Sequence, residues 1–454
     1  MAITIDYRRM MPALGRGVVD SYRDRVKSLH QDLTGRRRAG KLPFYELPRQ
    51  DLAPIERYVG RMHGSYRSVV VLGIGGSALG LLALNAALRT PFAALEPDPR
   101  LVVLDNIDPV RIDSFLAGLD PRHTVVNVIT KSGDTAETMS QFLIFRDWLT
   151  RSLGEKGARQ RIVVTTDRSK GALRAIASQE GYEAFEVPDG VGGRFSVLTP
   201  VGLLPAALLG MDIRGLLAGA ASMDGRLSSG EILENPAYLG AALHHAAYQA
   251  GRRLSVMFAY ADQLYLLADW YRQLWAESLG KRNGLDGKTV SVGPTPIKAL
   301  GVTDQHSQVQ LYKEGPDDKV YTFLVADRFQ KTVAIPPAGP GLEAVGYLGG
   351  HTMNELIAAE ELATEIALWK AGRPVTRIVF PEISAAGVGE YLHLLEVQTV
   401  AAGALFGIDP LDQPGVEEGK QYAYGIMGRP GYEARRREVE EAGQGDADLL
   451  FAPG

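Results

Sequence analysis

The chain alternates short, mostly apolar runs with longer stretches in which apolar residues recur every three to four positions. The short runs read as buried parallel strands and the long ones as amphipathic helices packed over them. Strands are predicted at 68–74 (SVVVLGI), 100–107, 123–130 and 161–167, with a weaker one at 184–187. Helices are predicted from 78 to about 88, from about 135 to 149, and through Leu173 and Ile176. In the second half the run 254–260 predicts a strand flanked by two helices. Further strands are predicted near 289–292, 320–325 and 376–380. A long helix opens at His351, which is placed to cap it, another covers about 387–405, and a last one follows Pro414. This alternation predicts an α/β protein of two parallel sheets, each sandwiched by helices, with helical N- and C-terminal arms. The polar segment 222–235 divides it into 1–225 and 226–454, two copies of one architecture with no residue-level repeat. The tail beyond Gly428 reads as solvated.

Two uncharged stretches test a membrane reading. Residues 68–88 carry no charge, and about 20 apolar residues span a bilayer. Four glycines (Gly73, Gly75, Gly76, Gly80) and the change from a β-branched run to an Ala/Leu run make it a strand, a turn and a helix instead. Pro200 and Pro205 likewise break 195–211 into an approach loop and a buried helix. The first residues lack the apolar core of a signal peptide, so a cytoplasmic protein with no membrane partner is expected.

Composition narrows the chemistry. At 454 residues, 45% apolar and 22% charged, the chain can bury a large core. With no cysteine there is no disulfide framework, thiol nucleophile or Cys-type zinc site. A net charge of -4 argues against a nucleic-acid partner. The eight histidines are scattered without metal-ligand spacing, so neither a metal nor another cofactor is expected.

Two loops stand out. GIGGSALG (73–80) follows a predicted strand and opens a helix. Its glycines, with Gly76 and Ser77 at the turn, allow a ligand close to the backbone and to the helix N-terminus. Its spacing is not that of a dinucleotide fingerprint, and a tight packing turn would also explain it. TKSGDTAET (130–138) has the same setting. Thr130, Ser132, Thr135 and Thr138 offer hydroxyls, Lys131 a cation, and Gly133 and Asp134 complete the turn before the helix. A single hydroxyl would be a helix cap; four with a lysine favour a phosphate group.

GIGGSALG followed by ITKSGDTAET resembles the sugar-isomerase domain of the phosphoglucose isomerase family. VGGRFSVLTPVG (191–202) and GIDPLDQPGVEEGK (407–420) resemble that family's two signatures, with WAESLGK (275–281) and TDQHS (303–307) between them in the family's order. The resemblance covers about 65–425. It departs at Leu279 and Leu411, where a polar and an aromatic residue are usual.

The resemblance implies two sugar-isomerase domains and an aldose–ketose isomerisation of a sugar phosphate. It implies a homodimer whose active sites are shared between subunits. Glu277 becomes the base that moves a proton between C1 and C2, a step suited to a carboxylate free of strong cations. Gln273, four residues earlier on the same helical face, becomes a substrate contact, as does Gln413. His306 and Lys420 take the ring-opening proton transfers, and Arg194 stabilises charge on the enediol oxygen. Read without the family, Glu277 and Lys420 would be surface groups, His306 a loop residue and Arg194 a structural tie. His244, His245, His351 and His393 lack such context and read as structural. Isomerisation of a related sugar phosphate and a non-catalytic sugar-phosphate sensor are the alternatives. A sensor would be expected to lack Glu277, His306 or Lys420.

Overall fold

The computed structural model describes residues 2–15, 17–89 and 99–442. The strands in chain order are β1 (Thr4–Asp6), β2 (Ser68–Leu72), β3 (Arg100–Leu104), β4 (Thr124–Ile129), β5 (Ile162–Thr166) and β6 (Glu183–Glu186), then β7 (Leu254–Ala259), β8 (Lys281–Asn283), β9 (Thr289–Val292), β10 (Thr295–Leu300), β11 (Lys319–Arg328) and β12 (Val375–Glu382). The first sheet runs β3-β2-β4-β5-β6 and is parallel throughout. The second runs β1-β12-β11-β7-β10 and is parallel except for β1.

Read from β10, the second sheet repeats the order of the first: β10-β7-β11-β12 matches β3-β2-β4-β5. The place of β6 is taken by β1, which arrives from the N-terminus and pairs antiparallel with β12. In both sheets the chain leaves two adjacent strands in opposite directions, from β2 toward β3 and from β4 toward β5, or from β7 toward β10 and from β11 toward β12. Such a point opens a crevice at the C-terminal strand ends, where α/β sheets bind ligands. In the first sheet the loops there are 73–77 and 130–135, the two singled out by composition.

Three strands depart from the expected pattern. β10 contains Pro296 and Lys298 and lies at a sheet edge, where a proline costs no ladder hydrogen bond. β9 joins neither large sheet but pairs with the charged β8 in an exposed hairpin. β1 has three residues, and its position is secured from outside, by Ile3 N donating to Glu390 Oε2 at 2.6 Å and Arg226 Nη1 donating to Ile3 O at 3.0 Å.

Each sheet carries its own core. Val70, Val126, Val128 and Val164 pack beneath Phe142 and Phe145 in the first. Phe258, Tyr260, Tyr312, Tyr321 and Phe323 fill the second, with Tyr260 and Phe323 stacked at 5.4 Å. Between the sheets runs the helix Ala385–Phe406, buried over nearly its whole length. It is mostly apolar but also buries Glu390, His393, Glu396 and Gln398. It packs on the helices Ile213–Arg226, Pro236–Gln249 and Asp262–Leu279. The last of these also meets Leu79–Leu88, which follows β2, so an element of each sheet's system touches the other.

The chain up to Pro410 forms one compact unit and that from Leu411 a second. The second unit holds the helices Glu417–Ile426 and Glu433–Glu441, joined by Arg429 lying over the Tyr424 ring at 4.4 Å. The segment QGDAD of the tail lies outside the described residues. Among the described residues no helix is long and apolar enough to cross a membrane.

Candidate active site

The loop after β2 is a single 3-10 turn, Gly75–Ser77, before the helix Leu79–Leu88. A Cβ on Gly76 would overlap the backbone of Gly193, so this glycine is what lets the turn lie directly against the Arg194 loop. Ser196 Oγ donates to Gly193 O at 2.6 Å and holds that loop.

Arg194 is 2% exposed. A buried guanidinium must have its N–H groups accepted. Nε donates to Ser278 Oγ at 2.7 Å, Nη2 to the Pro410 carbonyl at 2.7 Å, and Nη1 to Glu277 Oε2 at 3.2 Å. Glu277 takes a second bond on its other oxygen, from Gln273 Nε2 at 2.9 Å. Glu277 and Ser278 lie near the end of Asp262–Leu279, whose buried face comprises Leu267, Tyr271, Leu274, Trp275 and Ser278. The Glu277 side chain keeps 33% of its surface in contact with solvent. The base candidate is therefore beside a strong cation, contrary to the expectation of a carboxylate free of one, because the buried arginine needs an anionic partner. Leu279 is fully buried on this helix, which accounts for an apolar residue at that position.

The loop after β4 is built on Thr130, which is buried. Its Oγ1 lies 2.9 Å from Thr135 Oγ1 and accepts from Gly133 N at 3.3 Å. Ser132 Oγ accepts from Asp134 N at 3.3 Å. Gly133 has φ 72°, and a Cβ there would be 2.6 Å from Leu173 N. Thr135 is the N-cap of Ala136–Arg161 but makes no side-chain capping bond. The Thr135 hydroxyl thus does not cap the first-turn amides, and helix N-terminal amides without a side-chain cap suit an anion. Lys131 points elsewhere: its ammonium donates to the carbonyls of Pro188 at 3.1 Å and Val191 at 2.9 Å. Burial lowers its pKa, opposed by Asp189 and Asp167. It ties this loop to the segment that leads into Gly193 and Arg194.

His306 ends the 3-10 turn Thr303–Gln305 after β10, and its ring is exposed. The turn is held from below by Gln305 Nε2, which donates to Tyr260 Oη at 2.8 Å and Thr364 Oγ1 at 2.7 Å. Gln413 and Lys420 belong to the second unit. Gln413 precedes the turn Pro414–Val416. Lys420, half-exposed on Glu417–Ile426, pairs with Glu417 at 2.8 Å.

Other histidines have internal partners. His244 Nδ1 lies 2.9 Å from Gly240 O, His245 Nδ1 2.5 Å from Tyr22 Oη, and His393 Nε2 3.4 Å from Asp224 Oδ1. Thr352 rather than His351 caps the helix Met353–Lys370, through a capping box with Glu355. Sequence reasoning missed Ser278. Its signal was a hydroxyl in the apolar stripe of Tyr271 and Leu274, which precede it by seven and four residues.

Two like-ordered parallel sheets with polar loops at a strand-order reversal define an α/β fold of the class that binds ligands at that reversal. The family model for phosphoglucose isomerase matches residues 54–445. A glucose-6-phosphate isomerase of Carboxydothermus hydrogenoformans is 46% identical over 97% of this chain and 97% of its own. One of Rubrobacter xylanophilus is 47% identical over 95% and 99%. Among solved structures, a hypothetical protein of Thermus thermophilus is 37% identical, with a TM-score of 0.85 over 94% of this chain and all of that one. A glucose-6-phosphate isomerase of Chlamydia trachomatis shares the fold at 24% identity, with a TM-score of 0.73 over 86% and 76%. The chain belongs to the phosphoglucose isomerase family.

Proposed function

We propose that this protein interconverts glucose 6-phosphate and fructose 6-phosphate through ring opening and an enediol, without metal or cofactor, as a step of glycolysis and gluconeogenesis. The observation that carries the reading is the placement of Glu277 against Arg194, in a chain of this family. Glu277 takes the proton from C2 of the aldose and returns it to C1. Arg194, positioned by the Gly76 turn, stabilises the charge that develops on oxygen between those steps. Thr130, Ser132, Gly133, Asp134 and Thr135 receive the phosphate; Lys131 supports that loop from behind and adds positive potential. Gly76, Ser77, Gln273 and Gln413 contact the sugar. His306 and Lys420 move the protons that open the ring.

The exposure of His306 on its own subunit supports a homodimer in which it serves the neighbouring site. The repeated strand order supports two domains, 1–225 and 226–454, with β1 crossing from the first into the sheet of the second. The working compartment is the cytoplasm. The test is a coupled assay with fructose 6-phosphate, with mannose 6-phosphate run beside it. Turnover of the first is expected, and its absence would reject the reading.

A further inference from the structure

We infer that Ser278 is a positioning residue for this reaction, acting through Arg194. The inference rests on the reading of Arg194 as the group that stabilises the enediol oxygen.

A guanidinium is a flat fork, and two directional bonds fix its plane. Here those bonds are Nε to Ser278 Oγ and Nη2 to the Pro410 carbonyl, both at 2.7 Å. With both in place, Nη1 lies toward Glu277 Oε2. The carbonyl is backbone and cannot be chosen by side-chain identity. Ser278 is therefore a side chain whose identity bears on the rotation of the fork about its long axis. Its own position is rigid: it is fully buried on the helix that carries Glu277, one residue along, beside fully buried Leu274 and Leu279. The base and the cation that serves it are thus referenced to two consecutive residues of one helix. Electrostatic stabilisation by a fixed cation depends on its orientation being set before the reaction begins. A hydroxyl is suited to this: it accepts from Nε without competing, as a carboxylate would, for the positive charge that Arg194 offers to the enediol.

The role predicts that Ser278 matters only while Arg194 is present. Turnover is measured with fructose 6-phosphate for Ser278→Ala, Ser278→Cys, Arg194→Ala and the double variant Ser278→Ala/Arg194→Ala, each checked for its fold by circular dichroism and thermal melting. Ser278→Ala is expected to lower kcat between about 10- and 100-fold, the range for a misplaced catalytic group, with KM within about twofold. Ser278→Cys keeps the volume but accepts poorly and is expected to behave alike, so the test survives if the alanine variant does not fold. In the Arg194→Ala background, Ser278→Ala should lower kcat no further, since residues that act as a unit are not additive. A wild-type kcat in Ser278→Cys, or an undiminished further loss in the double variant, would overturn the inference. A wild-type kcat in Arg194→Ala alone would instead reject the role of Arg194 itself.

Discussion

Arg194 Nη1 and Glu277 Oε2 lie 3.2 Å apart, although 83 residues separate them in the chain. The contact is made by two loops and a helix: the Gly76 turn admits the backbone of Gly193, and the helix Asp262–Leu279 brings its last turn to the buried guanidinium. One cation can therefore serve two partners in the proposed cycle, orienting the base and facing the oxygen that becomes charged when the base takes the proton.

The fork geometry of Arg194 sets a first prediction. Arg194→Lys keeps the charge but cannot bond Ser278, Pro410 and Glu277 together. We expect kcat to fall about 10²–10³-fold, the loss typical of one oriented donor, with KM changed less. Steady-state kinetics on fructose 6-phosphate decide it, and an unchanged kcat would mean that charge alone suffices.

Phosphate binding is the province of the loop after β4. Thr135→Ala removes a hydroxyl 2.9 Å from Thr130 Oγ1 at the helix start. Because a phosphate is bound alike throughout the reaction, KM should rise more than kcat falls. An unchanged KM for the phosphorylated sugar counts against the assignment.

A third prediction concerns sharing of His306. Glu277→Gln and His306→Ala protomers should each be inactive alone. Mixed under conditions of confirmed subunit exchange, they should regain activity, since one hybrid site then holds both groups. Absence of recovery would place both groups of each site on one chain.

Glu361 gives the fold a pH signature away from the site. Burial raises its carboxyl to about 7, Glu365 adds to the shift, and Arg377 and Arg9 oppose it. A carboxyl whose folded pKa exceeds its unfolded value of about 4.3 binds its proton more tightly when folded. Its contribution to stability is full below that unfolded value and is lost as pH rises toward 7. Urea unfolding between pH 5 and 8 should show stability falling with pH over this window. Glu361→Gln should flatten that slope, and an unaltered slope would contradict the assignment.

Much of this architecture could be read from the chain. β2, β4, β5, β7, β11 and β12 each centre on a short, mostly apolar run, and buried parallel strands leave that mark because both faces are covered. β10 left none, since an edge strand tolerates Pro296 and Lys298. The three residues of β1 are ordered by partners more than 200 positions away, which no local pattern encodes. At the site, clustered glycines and hydroxyls marked both loops of the first sheet. The pairing of Glu277 with Arg194 is a long-range contact that neither the residue pattern nor the resemblance indicated, since the base was expected to be free of strong cations. That Lys131 would turn to the Pro188 and Val191 carbonyls depends on where the segment after β6 passes, which is likewise a property of the assembled fold.

Glu277 as the base is the centre of the proposed mechanism, and the direct measurement is exchange of the C2 hydrogen with solvent deuterium, followed by NMR. Glu277→Gln keeps the size of the side chain and its capacity for hydrogen bonding but cannot take up a proton at neutral pH. It should still bind the sugar phosphate and lose the exchange by about 10²–10⁴-fold, the usual worth of a general base. Exchange at the wild-type rate in Glu277→Gln would show that another group carries the proton and that the proposed mechanism is wrong.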